Sequence, residues 1–489
     1  MTKESLFADI WRACDLMRSD DGTTGMMEYM EQLSWILFLK AFEAIEDQHE
    51  AEASFARRAY QRILDGDYRW SVWTGPAGMP RLTGPSLIDF VDNTLFPYLR
   101  ALSGSPERDV IATIFQEIPG NRMKSGYLLR EVIDIIDEVD FHAAEDVDTI
   151  SHIYETLLGK LGGEGGIAGE FYTPRHIIRL MVEIVDPKIG ETVYDPACGS
   201  AGFLVESYAR LKAKAQTSAD WETLQRRTFF GREKKPLPYL LGVMNMILHG
   251  VQTPRIARGN TLAIDVRHIA EKDRYHVVLT NPPFGGKEHA TVQQNFPVPV
   301  AATELLFLQH IMKSLKVGGR CGVVVPEGVL FRGDAFAQVK KDLLESFNLH
   351  TIVSLPAGVF ANVTASGSGP KTNLLFFDRP GPTKDIWYYE VLHDGFTLTK
   401  SRRPIPENDL PDCLARWPKR AVSERSWLVP VEELVSRGYD LTAKNPNRKE
   451  DYEHRLPEDL VADVLAKEQR IFEILDEMQT ILGGNNGSR

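Results

Sequence analysis

The chain has 489 residues, of which 43% are hydrophobic and 25% are charged, and this ordinary globular composition predicts two or three domains. Its formal net charge of −12 argues against a protein that binds nucleic acid tightly on its own, because cationic contacts to phosphates supply most of that affinity. No apolar run is long enough to span a membrane, so we expect a cytoplasmic protein.

The chain divides into three regions by its hydrophobic pattern. Residues 1–150 have apolar residues at helical spacing, which predicts a helical N-terminal domain. In residues 151–400 short β-rich runs alternate with amphipathic stretches, which predicts an α/β catalytic domain with a parallel, doubly wound sheet. Residues 401–489 form a polar C-terminal region that ends in a helix. The four cysteines are far apart and form no CxxC pair, so we expect no metal site.

Two further elements are predicted near the end of the chain. KTNLLFFD and DIWYYEVL resemble the two strands of a hairpin that closes the sheet. In the terminal helix Val464, Ile471 and Met478 recur every seven residues, and Ile474 and Ile481 follow the last two at a spacing of three. This pattern fits a helix that binds a partner, and it also fits a helix that packs on its own domain.

In a doubly wound sheet, ligands bind beyond the carboxyl ends of the strands, so the residues there are candidate site residues. The first is YDPACGSAGF, where Asp195 ends a strand and Gly199 and Gly202 bracket a turn into a helix. The turn lacks the G-x-G-x-x-G spacing of dinucleotide sites. An acid after the strand suits a ligand with an ammonium group better than a pyrophosphate.

Two other segments extend this candidate ligand site. The next strand, TFFGRE, ends in Glu233, whose carboxylate could accept hydrogen bonds from both hydroxyls of a ribose. In GEFYTPRHIIRLMVEIV, Thr173 is predicted to be the N-cap of a helix and Pro174 its first residue.

A strand in VLTNPPFGG is followed by a stiff, polar and aromatic corner. Asn281 precedes two prolines that restrict the backbone and donate no N–H, so the corner presents the Asn281 side-chain oxygen and carbonyl oxygens as acceptors. Phe284 adds a flat ring. Acceptors beside a stacking ring suit a planar group with an exocyclic NH2.

With these motifs in order, the chain resembles the amino-group DNA methyltransferases, and most closely the modification (M) subunit of type I restriction-modification systems. GEFYTPRHI, DPACGSAGF, NPPFGG, VVPEGVLF and KTNLLFF carry the resemblance, which covers most of the chain. It implies a Rossmann-like S-adenosylmethionine-dependent methyltransferase sheet, a helical N-terminal domain and a C-terminal helical tail. It also implies methyl transfer to N6 of a flipped adenine.

The resemblance assigns roles to residues at matching positions. Those expected to hold S-adenosylmethionine are Tyr172, Thr173, Pro174, Asp195, Ala197, Gly199, Gly202, Glu233 and Asn260. Asn260 departs from the pattern, since an acid commonly stands there near the adenine of the cofactor. Asn281, Pro282 and Phe284 would hold the target base as the catalytic residues. No metal is implied.

The implied partners are double-stranded DNA, a specificity (S) subunit and a second copy of the M subunit, while the presence of a restriction (R) subunit stays open. The NPPF corner alone does not separate adenine N6 from cytosine N4 or from a glutamine side-chain amide in a protein. A catalytically silent assembly subunit that binds the cofactor is the alternative from another class. Asn281 and Phe284 argue against that alternative.

Overall fold

The computed structural model describes residues 3–75, 81–139, 141, 173–360, 369–399 and 402–447, and residues 461, 464–465, 467–469 and 471–475 of the C-terminal helix. Two compact units are present, Met1–Lys444 and Asn445–Arg489. The predicted domain boundaries at 150 and 400 lie outside the described residues and stay predictions.

The N-terminal part of the first unit is helical, as its apolar spacing predicts. Its helices are α1 Lys3–Arg18, α2 Met26–Phe55, α3 Trp70–Thr74, α4 Gly84–Phe90, α5 Phe96–Ala101, α6 Pro106–Glu117 and α7 Gly126–Asp137. Trp35 and Phe38 of α2 are fully buried and contact the rings of Phe96 and Phe115, respectively. These aromatic contacts bind α2 to α5 and α6.

The remaining part of this unit contains the strands. They are β1 Val193–Asp195, β2 Phe229–Glu233, β3 Arg255–Arg258, β4 Tyr275–Thr280, β5 Leu315–Pro326, β6 Asn348–Ser354, β7 Thr372–Asp378, β8 Asp385–Glu390, β9 Asp394–Phe396, β10 Pro404–Asn408 and β11 Ser426–Pro430. Nine form one sheet in the order β11-β8-β6-β7-β5-β4-β1-β2-β3, and β9 and β10 form a second, two-stranded sheet.

Helices alternate with these strands. They are α8 Arg175–Val185, α9 Gly202–Lys212, α10 Ser218–Arg226, α11 Pro236–Leu248, α12 Ala290–Gln293, α13 Thr303–Ser314, α14 Glu327–Phe331, α15 Ala335–Ser346, α16 Leu410–Arg416 and α17 Val431–Ser436. Both faces of the sheet are covered, because Val277 and Leu279 of β4 pack in one apolar cluster while Val278 packs in another. The predicted doubly wound α/β class is confirmed.

The strand order determines at which edge of the sheet a ligand can bind. Strands β3, β2, β1, β4 and β5 are parallel, and β1 lies between β2 and β4. The chain therefore reverses its direction of winding between β1 and β4, and a crevice opens beyond the carboxyl ends of these two strands. Strands β7 and β11 are antiparallel to their neighbours.

The predicted hairpin between β7 and β8 is wrong. β6 lies between them, antiparallel to β7 and parallel to β8. The link between β7 and β8 is not a tight turn. Its backbone forms hydrogen bonds with the end of α15, the helix that precedes β6. The Gly381 N–H donates to Ser346 O (2.9 Å) and the Thr383 N–H to Leu344 O (2.8 Å). Insertion of β6 buries β8 more fully than an edge position would.

In the second unit, the described residues between 461 and 475 are helical, and their apolar side chains are exposed. These are Val461, Val464, Leu465, Ile471, Phe472, Ile474 and Leu475. Met478 and Ile481 of the predicted heptad pattern lie outside the described residues. None of the helices described is both long enough and apolar enough to cross a bilayer.

Candidate active site

Three predicted site residues lie at one edge of the sheet. Asp195 ends β1, Glu233 ends β2, and Asn281 directly follows β4. Since these strands are parallel neighbours, their carboxyl ends lie side by side. The structure thus brings together residues that are up to 86 positions apart in the chain, between Asp195 and Asn281.

The turn after β1 is tightly wound and closely packed. Gly199 has φ +50°, a left-handed conformation that favours glycine. The Asp195 carboxylate shapes the turn by accepting a hydrogen bond from the Ala197 N–H (3.0 Å). Helix α11 packs against the turn at Gly242, where a Cβ atom would lie 2.7 Å from the Gly199 carbonyl oxygen. Gly202 then begins α9, as predicted.

Glu233 joins the ends of β1 and β2. Its carboxylate accepts hydrogen bonds from the Gly199 N–H (3.0 Å) and the Lys235 N–H (2.8 Å). The side chain is buried, and burial raises its pKa above the ordinary value of a glutamate. Each carboxylate oxygen can accept a second hydrogen bond, so the group keeps acceptor capacity for a ligand.

A cleft of about 260 Å³ opens beside these strand ends, and the predicted residues Ala197, Glu233 and Asn260 line it. Asn260 caps the 3-10 turn Thr261–Ala263, and its side-chain oxygen accepts from the Leu262 N–H (3.0 Å). The oxygen that could accept from an adenine amino group therefore already accepts one hydrogen bond, and its second lone pair remains. A larger cavity of about 470 Å³ lies between the N-terminal helices and α11, and no predicted site residue lines it.

Asp195 also links the first turn to the end of β4. The Thr280 hydroxyl donates to the carboxylate oxygen that already accepts from Ala197, at a distance of 2.6 Å. Asp195 is almost fully buried, and burial raises its pKa to about 7, although these two hydrogen bonds favour the ionised form. A carboxyl group that titrates near neutral pH is typical of functional sites.

Asn281 is oriented by a single hydrogen bond. Its side-chain NH2 donates to the Thr173 hydroxyl at 2.9 Å. Its side-chain oxygen is buried and has no hydrogen-bond partner among the described residues. Buried polar atoms without partners are rare in folded proteins, so this oxygen is a candidate acceptor for a ligand.

The predicted N-cap role of Thr173 is wrong. Helix α8 begins at Arg175, and Pro174 is its N-cap, whose carbonyl oxygen accepts from the N–H groups of Ile177 and Ile178. Thr173 lies one residue too early to cap the helix, which leaves its hydroxyl free to bind Asn281. Tyr172 lies outside the described residues.

Phe284 is half-buried and packs edge-on against Phe360. The ring centroids are 6.3 Å apart and the planes meet at 82°. Pro282, between Asn281 and Pro283, is buried. The corner therefore combines acceptor oxygens with an aromatic ring whose orientation is fixed by a second ring.

Comparison with known proteins identifies the family. The N-6 DNA Methylase family model matches residues 145–455, and the HsdM N-terminal domain model matches residues 6–136. The chain belongs to the N-6 DNA methylase family. The type I restriction enzyme EcoEI methylase subunit of Escherichia coli is 37% identical and covers 97% of this chain and 98% of its own length.

Solved structures agree with this assignment. A modification subunit from Vibrio vulnificus YJ016 is 41% identical, covers 93% of this chain and 99% of its own, and superposes with a TM-score of 0.83. A chain of a type I R-M system, solved to describe complex assembly and conformational transition, is 50% identical over the whole of both chains, with a TM-score of 0.72. The resemblance to type I modification subunits and the predicted adenine-specific methylase class are confirmed.

Sequence reasoning missed the residues that support the corner of this N-6 DNA methylase. Thr280 immediately precedes the NPPF motif, and the hydrophobic pattern predicts no role for it beyond that of a strand residue. The His176 Nε2 lies 2.8 Å from an Asp394 carboxylate oxygen, which Arg402 also contacts. His176 and Asp394 are 218 residues apart, and no local pattern pairs them.

Cys198 lies next to the first turn of the methylase sheet but is a packing residue. Its thiol is buried, and burial raises the thiol pKa well above the ordinary value. A Cβ atom on Gly231 of β2 would lie 3.0 Å from its Sγ, so the thiol fills space between β1 and β2. A reactive thiolate requires the opposite environment.

Proposed function

We propose that this N-6 DNA methylase transfers a methyl group from S-adenosylmethionine to N6 of an adenine extruded from double-stranded DNA. The observation that carries the proposal is the buried Asn281 side-chain oxygen, which has no partner among the described residues and is held in place through Thr173. Such an oxygen matches a planar substrate with an exocyclic NH2 group.

The corner acts on the amino group by accepting its two hydrogens. The exocyclic nitrogen of adenine is a weak nucleophile, because its lone pair is delocalised into the ring. The Asn281 oxygen and the Pro282 carbonyl would accept the two N–H groups, favour a pyramidal nitrogen and stabilise the positive charge that develops on it. This is electrostatic stabilisation by prearranged dipoles, without a covalent intermediate.

The target base must leave the duplex to reach this corner, because Asn281 and Pro282 cannot contact the N6 amino group of an adenine that is paired and stacked. Phe284 offers a face on which the extruded base can stack, and Phe360 supports the ring from its edge. Stacking on a protein ring offsets part of the cost of unstacking from the neighbouring bases.

The residues at the strand ends fit S-adenosylmethionine, which supplies an electrophilic methyl group when bound. Glu233 has acceptor capacity for the ribose hydroxyls and lines the cleft with Ala197 and Asn260. The Asp195 carboxylate provides negative charge for the ammonium end. The close packing of Gly242 against Gly199 keeps the turn compact, so that a ligand can approach its backbone. Tyr172, Thr173, Pro174 and Gly202 would complete the methionine side.

The proposed partners are DNA, a specificity subunit and a second modification subunit. The net charge of −12 supports a partner that provides the cationic DNA-binding surface. The exposed apolar side chains between 461 and 475 provide a helical surface for it, since long exposed apolar stripes are typical of helix pairing. The solved type I R-M chain at 50% identity comes from an assembled system.

Two other acceptors share the chemistry of the corner. Cytosine N4 and a protein glutamine amide each carry an NH2 that Asn281 and Pro282 could bind. Membership of the N-6 DNA methylase family favours adenine. A silent assembly subunit is disfavoured by the orientation of Asn281, because a scaffold has no use for a buried acceptor without a partner.

Replacing Asn281 tests the proposal. In the complex with the specificity partner, Asn281→Ala is expected to abolish DNA methylation while equilibrium binding of S-adenosylmethionine stays close to that of the unmodified protein. Val317→Ala is the control. Val317 is exposed and lies near the start of β5, away from the strand ends that carry the site, so both measurements should stay unchanged. Methylation by Asn281→Ala at the normal rate would refute the assigned role.

A further inference from the structure

The 331–334 loop begins at Phe331, the last residue of α14, and exposes an aromatic and a cationic side chain at the edge of the sheet where β4 and β5 end. All four residues are exposed, and Phe331 keeps 54% of its surface accessible. Phe331 is followed by Arg332, which is also exposed. Neither side chain takes part in the methylation chemistry described above.

The loop is connected to the catalytic corner through neighbouring residues. Strands β4 and β5 are parallel and adjacent, so the chain leaves both at the same edge. Gly286, two residues after Phe284, accepts a hydrogen bond from the Thr303 N–H (3.1 Å). The next residue, Glu304, lies 3.9 Å from the Arg332 guanidinium. Through Thr303 and Glu304 the loop is linked to the segment that follows Phe284, at the same edge of the sheet as the proposed base-binding corner.

A buried lysine holds the loop in place. Lys340 of α15 is fully buried, and its ammonium group donates to the carbonyl oxygens of Leu330 (2.5 Å) and Arg332 (2.8 Å). The Leu441 N–H donates to the same Leu330 oxygen (3.1 Å). Lysine is almost never fully buried without partners, so its burial here serves to fix the carbonyl groups on both sides of Phe331.

The backbone and the arginine are also constrained. Asp334 has φ +51° and ψ −121°, a backbone conformation that costs a non-glycine residue free energy. The Arg332 guanidinium lies over the ring of Phe336, 5.2 Å from its centroid. Phe331 is thus presented to solvent on a rigid support.

We propose that the 331–334 loop contacts the DNA duplex beside the target, with Phe331 stacked on the bases next to the extruded adenine and Arg332 near the DNA backbone. This inference rests on the proposed function and deepens it. Extrusion leaves the neighbouring bases unstacked, and a rigid ring placed against them recovers stacking energy. The Arg332 guanidinium lies 3.9 Å from a Glu304 carboxylate oxygen but is 53% exposed, and its N–H donors suit the phosphates.

The test compares Phe331→Ala with the unmodified complex on two duplexes. In one the target adenine is paired with thymine, and in the other it faces a mismatched base, which lowers the cost of extrusion. Phe331→Ala is expected to reduce single-turnover methylation about tenfold or more on the paired duplex, and clearly less on the mismatched one. Phe331→Trp should retain most of the rate. Phe55→Ala is the control, because Phe55 is even more exposed than Phe331 and is remote from it in the sequence, and it should retain the full rate.

A second readout follows extrusion without chemistry. 2-Aminopurine at the target position is expected to brighten when the complex binds, and to brighten less with Phe331→Ala. An unchanged signal and rate, or an equal loss on both duplexes, would overturn the inference. Brightening of the 2-aminopurine duplex by the unmodified complex, together with no methyl transfer to the adenine duplexes, would instead overturn the proposed function and leave the loop's role standing. No brightening with the unmodified complex would overturn both.

Discussion

At the scale of single residues, we propose that Thr173 positions the amide group of Asn281. The Asn281 side chain can present either its oxygen or its NH2 to a substrate, and only the oxygen accepts the hydrogens of an amino group. In the structure the Asn281 NH2 donates to the Thr173 hydroxyl, which leaves the side-chain oxygen available for the substrate. Thr173 is thus a positioning residue for the proposed reaction.

Replacing the Thr173 hydroxyl tests this role. Thr173→Val keeps the shape of the side chain but removes the acceptor, so the single-turnover rate at saturating cofactor is expected to fall about tenfold to a hundredfold. Thr173→Ser retains the hydroxyl and should stay within a few-fold of the unmodified rate. A Thr173→Val protein that methylates as fast as the serine variant would contradict the role.

Asp195 is expected to make cofactor binding dependent on pH. Burial raises its pKa to about 7 in the protein without ligand, so the carboxyl is mostly protonated below pH 7 and mostly ionised above it. Only the ionised form attracts an ammonium group, and affinity for S-adenosylmethionine is therefore expected to rise from pH 6 to pH 8. Calorimetric titrations across this range measure it.

The matched variant is Asp195→Asn, which cannot ionise. Its affinity for S-adenosylmethionine should be lower and should lack the part of the pH dependence that Asp195 contributes. Titration of S-adenosylmethionine itself affects both proteins equally. Identical pH profiles for the two proteins would exclude Asp195 as the titrating group.

At the scale of elements, the contact between α11 and the first turn shapes the cofactor site. Alanine in a helix interior is ordinarily more stable than glycine by about 1 kcal/mol. At Gly242 the added Cβ would lie 2.7 Å from the Gly199 carbonyl oxygen, and α11 or the turn must move.

We expect Gly242→Ala to weaken S-adenosylmethionine binding about tenfold, since overpacking of about 1–3 kcal/mol is commonly relieved by a backbone shift. Equilibrium binding measures the change, with circular dichroism to establish that the variant is folded. Gly25→Ala is the control, because its Cβ would meet no atom within 4 Å. A folded Gly242→Ala protein with normal affinity would show that the turn tolerates the shift.

Local patterns predicted the elements of this fold better than their pairing. The strand ends at Asp195 and Glu233, and the corner at Asn281, follow from hydrophobic runs that stop at polar residues. The position of β6 between β7 and β8 does not follow from such runs, because the register of strands distant in the chain depends on packing across the whole sheet.

The same limit applies to the support of the site. His176 contacts Asp394 from the β9–β10 sheet, and its ring stacks on Phe396 with centroids 4.7 Å apart. This contact attaches the two-stranded sheet to the first turn of α8, close to Thr173. A histidine and an aspartate 218 residues apart give no signal in a single sequence.

At the scale of the whole molecule, the chain is acidic although its proposed substrate, DNA, is a polyanion. A net charge of −12 opposes tight binding of DNA by the chain alone, whereas the corner around Asn281 requires a base to be delivered to it. We propose that the exposed apolar residues of the C-terminal helix recruit a partner that carries the missing cationic surface. The lone chain is therefore expected to methylate DNA poorly until a specificity partner is added.

The most direct test of the central claim is mass analysis of nucleosides from DNA treated with S-adenosylmethionine and the chain, with and without its specificity partner. We predict N6-methyladenine in the sample with the partner, little in the sample without it, and none with Asn281→Ala. Methylcytosine in place of methyladenine, or no modified nucleoside from the complete complex, would contradict the assignment of the NPPF corner to adenine.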